Sequence, residues 1–216
     1  FAFTSDAGVI GYLPSTKTLP HDMQVFEPTF VLAVPRVFEK VYNAASRKAG
    51  TGWKGRLFAK SVEFAREWTE MEQAGIAPTP KQKAEHAMYE KLVYSTIRSA
   101  FGPRIKYLAC GGAPLDRKLA TFFNGIGLTM IQGYGLTETA APFAFTRVHD
   151  NVIGTVGQPV PGSSVRISPT GELEVKARTC SLATITCPRR QPRPLPRTAG
   201  SRPAIWLRLT TRGISH

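Results

Sequence analysis

The sequence is poor in cysteine and has no long hydrophobic run. Its three cysteines, Cys110, Cys180 and Cys187, form no Cys-x-x-Cys pair and cannot all pair with one another. This argues against a disulfide framework and against a zinc site. No apolar run approaches the roughly 18 residues that a membrane-spanning helix requires. We therefore expect a protein of a reducing compartment, the cytoplasm, without an integral membrane segment.

Acidic residues are absent from the last part of the chain. Residues 178–216 contain eight arginines and no Lys, Asp or Glu, so they carry +8 of the net charge of +13. The remainder, 13 − 8 = +5, belongs to residues 1–177 and is typical of a mildly basic globular surface. A basic module that binds nucleic acid or anionic lipid through this tail is one hypothesis. It is the rival hypothesis, and we expect no nucleic-acid partner.

Length and hydrophobic pattern predict one α/β domain. The 216 residues, 42% of them hydrophobic, are enough to bury a core. The apolar run at residues 29–34 ends at Pro35, as expected of a buried strand. The pattern then predicts three amphipathic helices, two short strands around a helix that Asp116 can cap, and a β-rich module. The three helices lie at residues 37–45, 53–74 and 81–101, and the two strands at 104–110 and 128–131. The helix between the strands lies at 117–124, and the β-rich module at 151–176.

Two glycine-rich segments, which we predict to be loops, follow the two short strands. The first is Gly111-Gly112-Ala113-Pro114, and the second runs from Gln132 to Thr139 with the sequence QGYGLTET. Glycines allow a flat group to approach the backbone, and the second segment adds an aromatic ring, hydroxyl groups and a carboxylate. Either segment alone is better explained as a tight turn. Their joint occurrence favours a nucleotide site, with Tyr134 at adenine, Thr137 at a phosphate and Glu138 at Mg²⁺.

These segments, together with the downstream residues 154–162 (GTVGQPVPG), resemble the adenylate-forming, or AMP-binding, superfamily. Within it, residues 34–42 (VPRVFEKVY) are similar to the long-chain fatty acyl-CoA synthetases of actinobacterial type. The resemblance extends from about residue 20 to residue 177 in four ordered blocks. It implies the large N-terminal domain of such enzymes, in which βα layers pass into a small β-rich module.

The resemblance also implies an activity, that of a long-chain fatty acid–CoA ligase. The fatty carboxylate would attack the α-phosphate of ATP to give acyl-adenylate and pyrophosphate, and the thiol of CoA would then displace AMP. The implied cosubstrates are ATP and CoA, with Mg²⁺, and peripheral contact with the inner face of the cell membrane is expected. A ligase for another carboxylate remains an alternative, because the volume of the acyl pocket sets the chain length.

The same resemblance assigns roles to individual residues. Thr137 and Glu138 are the expected catalytic residues, and Glu138 is the expected metal ligand. The expected nucleotide-binding residues are Gly111, Gly112, Ala113, Pro114, Gln132, Gly133, Tyr134, Gly135, Leu136 and Thr137.

The sequence also departs from the family pattern. The chain begins at Phe1, without the Ser/Thr/Gly-rich phosphate loop that precedes this region in the family. The pattern stops at about Ala177, before the ribose-binding Asp and the C-terminal domain with its lysine. We therefore expect residues 1–177 to be a partial AMP-binding domain, a fragment that is inactive alone. Residues 178–216 are expected to be a disordered or non-native Arg/Pro-rich tail.

A shift of the reading frame explains the composition of the tail. In the neighbouring frame, each codon combines the third base of one codon with the first two bases of the next. For residues 198–206 the permitted bases spell Asp-Gly-Trp-Phe, one undetermined residue and then Thr-Gly-Asp-Leu. This string resembles a later motif of the family, whose Asp holds the ribose of ATP. We therefore interpret the residues after Ala177 as out-of-frame translation.

The frame hypothesis fixes third bases in the gene. It requires G before the codon of Thr198, T before those of Gly200 and Ser201, A before Pro203, G before Ile205 and C before Trp206. Sequencing the locus checks these bases, and we expect that an insertion or deletion of one or two bases near the codon of Ala177 restores a continuous ligase frame. Unrelated bases at these positions would return the tail to a native basic extension.

Overall fold

The computed structural model describes residues 8–13, 15, 17–136, 141–169, 173–177 and 207–209. Within these residues a mixed sheet of five strands, in the order β1-β2-β3-β4-β5, carries helices on the connections between its first strands. The strands of this sheet are β1 (Phe30–Ala33), β2 (Tyr107–Cys110), β3 (Thr129–Leu136), β4 (Ala141–Phe145) and β5 (Gln158–Pro159). The first three strands are parallel, whereas β4 and β5 join antiparallel.

The helices precede β1 or connect the parallel strands. They are α1 (Leu19–Phe26), α2 (Pro35–Ala49), α3 (Trp53–Gln73), α4 (Pro80–Tyr89), α5 (Ser95–Ser99) and α6 (Arg117–Gly125). The predicted strand at residues 29–34 and the helices corresponding to α2, α3 and α6 are confirmed. Asp116 caps α6 as expected, because its carboxylate accepts a hydrogen bond from the backbone N–H of Lys118 at 2.6 Å. Helix α1 was not predicted.

An aromatic cluster forms the centre of the main core. The rings of Phe38 on α2, Phe101 after α5 and Phe123 on α6 have centroids 5.8 to 6.3 Å apart, and all three side chains are fully buried. The apolar residues of α2, α3, α6 and the parallel strands pack around them. Burial of such large side chains is the main favourable contribution to folding at this size. No helix in the described part of the chain is long and apolar enough to cross a bilayer.

The helix predicted at residues 81–101 is interrupted by a π-helical turn. Residues Glu90–Tyr94 form this turn between α4 and α5. The buried hydroxyl of Tyr94 donates to the carbonyl oxygen of Ser61 at 2.7 Å, and burial raises the pKa of Tyr94. Arg98 donates to the Glu90 carboxylate and, at 2.7 Å, to the carbonyl oxygen of Ile126. Its hydrogen bond lowers the pKa of Glu90 and links the π-helical turn to the end of α6.

A second sheet of three antiparallel strands follows, and it reaches into the tail. Its strands are β6 (Ser163–Ile167), β7 (Leu173–Ala177) and β8 (Leu207–Leu209). The strand β8 pairs with β7, with Leu209 opposite Leu173. At these three residues the structure differs from the expected unstructured tail, because a short Leu-Arg-Leu run can pair with the backbone edge that β7 offers. The other residues of 178–216 lie outside the described part.

A glycine allows α3 and α6 to cross at close range. A methyl group on Gly125 would lie only 1.9 Å from the carbonyl oxygen of Ala65 on α3. The buried hydroxyl of Thr69 donates to the carbonyl oxygen of Thr121 at 2.8 Å across the same contact. Direct backbone approach therefore sets the distance between the two helices, and no larger residue than glycine fits at position 125.

We predict that Gly125→Ala destabilises the protein by about 3 kcal/mol or more, because the added methyl group forces α6 away from α3. The measurement is the free energy of unfolding in urea. Gly52→Ser is the control, since nothing lies within 4 Å of a methyl group at position 52. We expect the control to change stability by about 0.5 kcal/mol or less. Equal stability of both variants would contradict the close crossing.

Candidate functional site

The two glycine segments lie side by side because they follow neighbouring parallel strands. In the register of β2 and β3, Cys110 is opposite Gln132. Gly111 and Gly133 therefore come next on the two strands, at the carboxyl-terminal edge of the parallel part of the sheet. Ligands of α/β sheets bind beyond this edge. The arrangement brings together the two segments that the sequence predicts as one site.

Gly111 and Gly133 leave this edge without side chains. A methyl group on Gly111 would lie 3.7 Å from the carbonyl oxygen of Gly133. A methyl group on Gly133 would lie 3.7 Å from Cβ of Pro142 and 3.8 Å from the carbonyl oxygen of Cys110. These are ordinary contact distances, so packing within the protein does not require glycine at either position. The glycines instead leave space that a flat ligand can fill.

The end of β1 closes the same edge. The backbone N–H of Gly111 donates to the carbonyl oxygen of Ala33 at 3.4 Å. Gly112 has a φ of +81°, a left-handed conformation that favours glycine, and a methyl group there would lie 3.7 Å from Val34. Gly112, Ala113 and Pro114 are exposed. They form an open turn from which the backbone is accessible to a ligand.

The second glycine segment is part of a strand, whereas the sequence predicted a loop after residue 131. Strand β3 continues through Gly133 and Gly135 to Leu136, because β4 pairs with its far half in antiparallel orientation. The register shifts between Tyr134 and Gly135. Glycines within strands often accompany such irregularities and sites of close backbone approach. The prediction of a loop at residues 132–136 is therefore wrong.

The ring of Tyr134 is oriented by a small apolar cluster. It contacts the ring of Phe143 edge to face, with centroids 5.1 Å apart and an interplanar angle of 68°. Phe143 is buried with Ala144 and Val175, so the second sheet supports this position. Tyr134 itself is half-buried. A fixed, partly exposed aromatic ring beside two glycines is suited to contact a planar base.

The sequence analysis missed Thr146, which fixes the backbone at the start of the site. The buried Thr146 hydroxyl accepts a hydrogen bond from the backbone N–H of Gln132 at 2.8 Å. The backbone N–H of Thr146 in turn donates to the carbonyl oxygen of Gln132 at 2.9 Å. This pair holds β3 just before Gly133. The sequence offers no local signal for this contact, because its two residues are 14 positions apart. The only hint is a threonine within a β-rich run.

Cys110 contributes packing at the strand end and has no nucleophilic role. Its side chain is 1% exposed, and burial together with the nearby charge of Glu39 raises the pKa of the thiol to about 11. The thiolate is the reactive form of cysteine, so this residue is inert at neutral pH.

Thr137 and Glu138 lie outside the described residues, and so do Ala140 and Thr139. The described part of β3 ends at Leu136, one residue before Thr137. Among the residues that the structure does describe, no group of three or more His, Cys, Asp or Glu side chains could hold a metal ion. The expected phosphate and metal contacts therefore stay predictions.

The chain belongs to the AMP-binding enzyme family, whose model matches residues 2–178. It is 44% identical over 167 residues to the long-chain-fatty-acid–CoA ligase FadD15 of Mycobacterium tuberculosis, and equally to that of Mycobacterium bovis. The aligned region is 77% of this chain and 28% of each relative. Long chain acyl-CoA synthetase 4 of Arabidopsis thaliana is 29% identical, over 81% of this chain and 26% of the relative. The chain thus spans just over a quarter of the length of these relatives.

Solved structures of similar fold include CoA ligases. A benzoate CoA ligase from Burkholderia xenovorans matches with a TM-score of 0.46 and 16% identity, over 81% of this chain and 28% of that one. The o-succinylbenzoate CoA synthetase of Bacillus subtilis, in complex with ATP and magnesium ion, matches with a TM-score of 0.45 and 16% identity. That match covers 78% of this chain and 27% of the other.

We predict that Thr146→Val releases the Gln132 amide. The valine has nearly the same shape but leaves that N–H without an acceptor, which costs about 1 to 3 kcal/mol. The measurement is hydrogen exchange of the Gln132 amide by NMR, together with the free energy of unfolding. Thr146→Ser keeps the hydroxyl, and we expect it to keep the protection of this amide. Equal protection in the valine and serine variants would show that the hydroxyl does not hold β3.

Proposed function

We propose that this chain provides part of the nucleotide site of an ATP- and Mg²⁺-dependent long-chain fatty acid–CoA ligase. The observation that carries the proposal is the pair of side-chain-free strand ends at Gly111 and Gly133. Their spacing leaves room for a ligand at the carboxyl edge of the sheet. Membership in the AMP-binding enzyme family supports an adenine nucleotide as that ligand.

The described residues fit one end of a nucleotide. The open turn of Gly112, Ala113 and Pro114 offers backbone groups, and the ring of Tyr134 offers an apolar face for adenine. The hydrogen-bonded pair of Gln132 and Thr146 keeps this strand in place. A preorganised backbone is an effective means of positioning a substrate, since no reorganisation is then required during the reaction.

The phosphate end is assigned to the residues after Leu136. We propose that the Thr137 hydroxyl donates to a phosphate oxygen and that the Glu138 carboxylate holds Mg²⁺, which favours oxygen ligands. Bound Mg²⁺ neutralises phosphate charge and so helps the α-phosphate to accept a nucleophile. Both residues directly follow β3, whose position is fixed by β2 and β4.

The names of the relatives support a long-chain fatty acid as the carboxylate substrate and CoA as the thiol. The relatives that are 44% identical are both named long-chain-fatty-acid–CoA ligases. A ligase for another carboxylate is the alternative. Activity assays with acids of different chain length and with benzoate distinguish the two.

We further propose the domain division at residue 177. Residues 1–177 would be the AMP-binding part and 178–216 a tail of different origin. The family match supports this division, because it ends at residue 178. In the rival hypothesis, the tail binds nucleic acid; that binding would weaken steeply with salt and require the eight arginines of residues 178–216.

We propose that the enzyme acts in the cytoplasm, at the inner face of the cell membrane. Its proposed cosubstrates ATP and CoA are water-soluble, whereas a long-chain fatty acid partitions into a bilayer. A peripheral contact would give the enzyme access to both kinds of substrate.

Glu138→Gln tests the proposed function. In the product of the frame-restored gene, we expect fatty-acid-dependent exchange of pyrophosphate into ATP to fall about 100-fold or more, because a fixed charge contact is lost. In the present chain, we expect the same substitution to remove the Mg²⁺ dependence of ATP binding in calorimetry. Glu67→Gln is the control, an exposed carboxylate on α3. An unchanged exchange rate in Glu138→Gln would remove Glu138 from the mechanism.

A further inference from the structure

A large apolar cavity lies among the helices. It has a volume of about 590 Å³, within the range of about 300 to 1,000 Å³ that small-molecule sites occupy. Its lining comes from α2, the start of α3, the π-helical turn and α5, and from the start of α1. Representative lining residues are Ala45, Leu57, Leu92, Val93 and Ile97.

The cavity lies away from the candidate nucleotide site. Helix α2 begins at Pro35, directly after the carboxyl end of β1, and its second half, from Lys40 to Ala49, lines the cavity. A helix rises 1.5 Å per residue, so the far end of α2 lies about 20 Å from its start. Neither Gly111 nor Gly133 is among the lining residues.

Basic residues line part of the cavity and flank it in the sequence. Residues 46–60, which connect and include the facing ends of α2 and α3, contain five cations and no Asp or Glu. These cations are Arg47, Lys48, Lys54, Arg56 and Lys60. All five are exposed, and none forms an ion pair within the part of the chain that the structure describes. We call residues 46–60 the basic corner. Lys48 and Lys54 of this corner line the cavity, and so does Lys17.

Two large apolar side chains of the cavity lining are exposed. Trp53 is 67% exposed and Leu92 is 56% exposed, and both line the cavity. The ammonium group of Lys54 lies 5.6 Å from the centroid of the Trp53 ring. An exposed tryptophan beside lysines is typical of surfaces at the membrane–water interface, where the ring lies at head-group level and the ammonium groups face anionic lipids.

We propose that the basic corner docks onto an anionic lipid bilayer and that the cavity receives an acyl chain of a bound lipid. The cations contact the head groups, Trp53 enters the interface, and the apolar lining replaces the hydrocarbon around one chain. A cluster of four to eight cations on an amphipathic surface is sufficient for such electrostatic attraction. The binding of the bilayer is argued independently of the proposed function. Only its purpose, which is access to a fatty acid in the bilayer, rests on that function.

The test is sedimentation of the 216-residue chain with vesicles of phosphatidylglycerol and phosphatidylcholine, compared with vesicles of phosphatidylcholine alone. We expect binding to the anionic vesicles that declines as NaCl rises from about 0.1 to 0.5 M. Lys48→Gln with Lys54→Gln should weaken binding about 30-fold, since each lysine near an anionic surface contributes about fivefold. The matched control is Lys81→Gln with Lys83→Gln, two exposed lysines at the start of α4 that do not line the cavity.

Two further variants test the apolar part of the proposal. Ala44→Trp places a large side chain at the cavity lining, where it would occupy the space of the acyl chain, so we expect it to weaken vesicle binding. Ala84→Trp is the control, because it adds the same side chain at an exposed position of α4. Tryptophan emission should shift to shorter wavelength on binding, and Trp53→Phe should abolish the shift. Circular dichroism verifies that each variant is folded. If a variant does not fold, the tryptophan emission and the salt dependence of binding, both measured on the unmodified chain, still test the proposal.

Three outcomes would overturn the proposal. One is equal loss of binding in the two lysine pairs, which would assign the attraction to the net charge or to the arginine-rich tail. Another is equal binding to both kinds of vesicle, and a third is binding of monomeric palmitate without binding of vesicles. None of these assays contains ATP or CoA, so their result is independent of whether the chain supports ligation.

Discussion

The crossing of α3 over α6 is the contact on which the arrangement of the site depends. Helix α6 connects the end of β2 to the start of β3, so its position fixes where β2 ends and where β3 begins. The carbonyl oxygen of Ala65 occupies the space that a side chain at Gly125 would need, and the hydroxyl of Thr69 binds the backbone of Thr121. His86 adds a hydrogen bond of 3.0 Å to the carbonyl oxygen of Gly125. A shift of this crossing would displace both glycine segments together.

Local sequence signals account for most of the helical layer. Pro35 both ends β1 and begins α2, and Asp116 caps α6, so short-range chemistry defines these boundaries. The π-helical turn has no comparable signal, since it is stabilised by Arg98 and by the distant Ser61. In the same way, β3 extends through its glycines only because β4 pairs with it. Tertiary pairing therefore decided the elements that the sequence pattern did not predict.

The candidate site shows the same division. The residues of the two glycine segments could be selected from the sequence because their composition is unusual, and their adjacency follows from parallel pairing. The supporting residues Thr146 and Phe143 could not be selected from the sequence. The buried hydroxyl of the one and the ring contact of the other depend on strand register rather than on composition. The cavity escaped the sequence analysis for a related reason. Its apolar residues come from five segments, and each segment alone looks like an ordinary amphipathic helix face.

Two pairs of glycines in this protein differ in the space around them. At Gly125 and Gly157 an added methyl group would lie 1.9 to 2.2 Å from a backbone oxygen, so the fold itself requires glycine. At Gly111 and Gly133 the same group would meet nothing closer than 3.7 Å. Packing therefore does not account for glycine at these two strand ends, whereas the proposed nucleotide beyond them would account for it. Contact distance thus supports the proposal that these two positions adjoin a ligand, and it does so independently of the sequence motif.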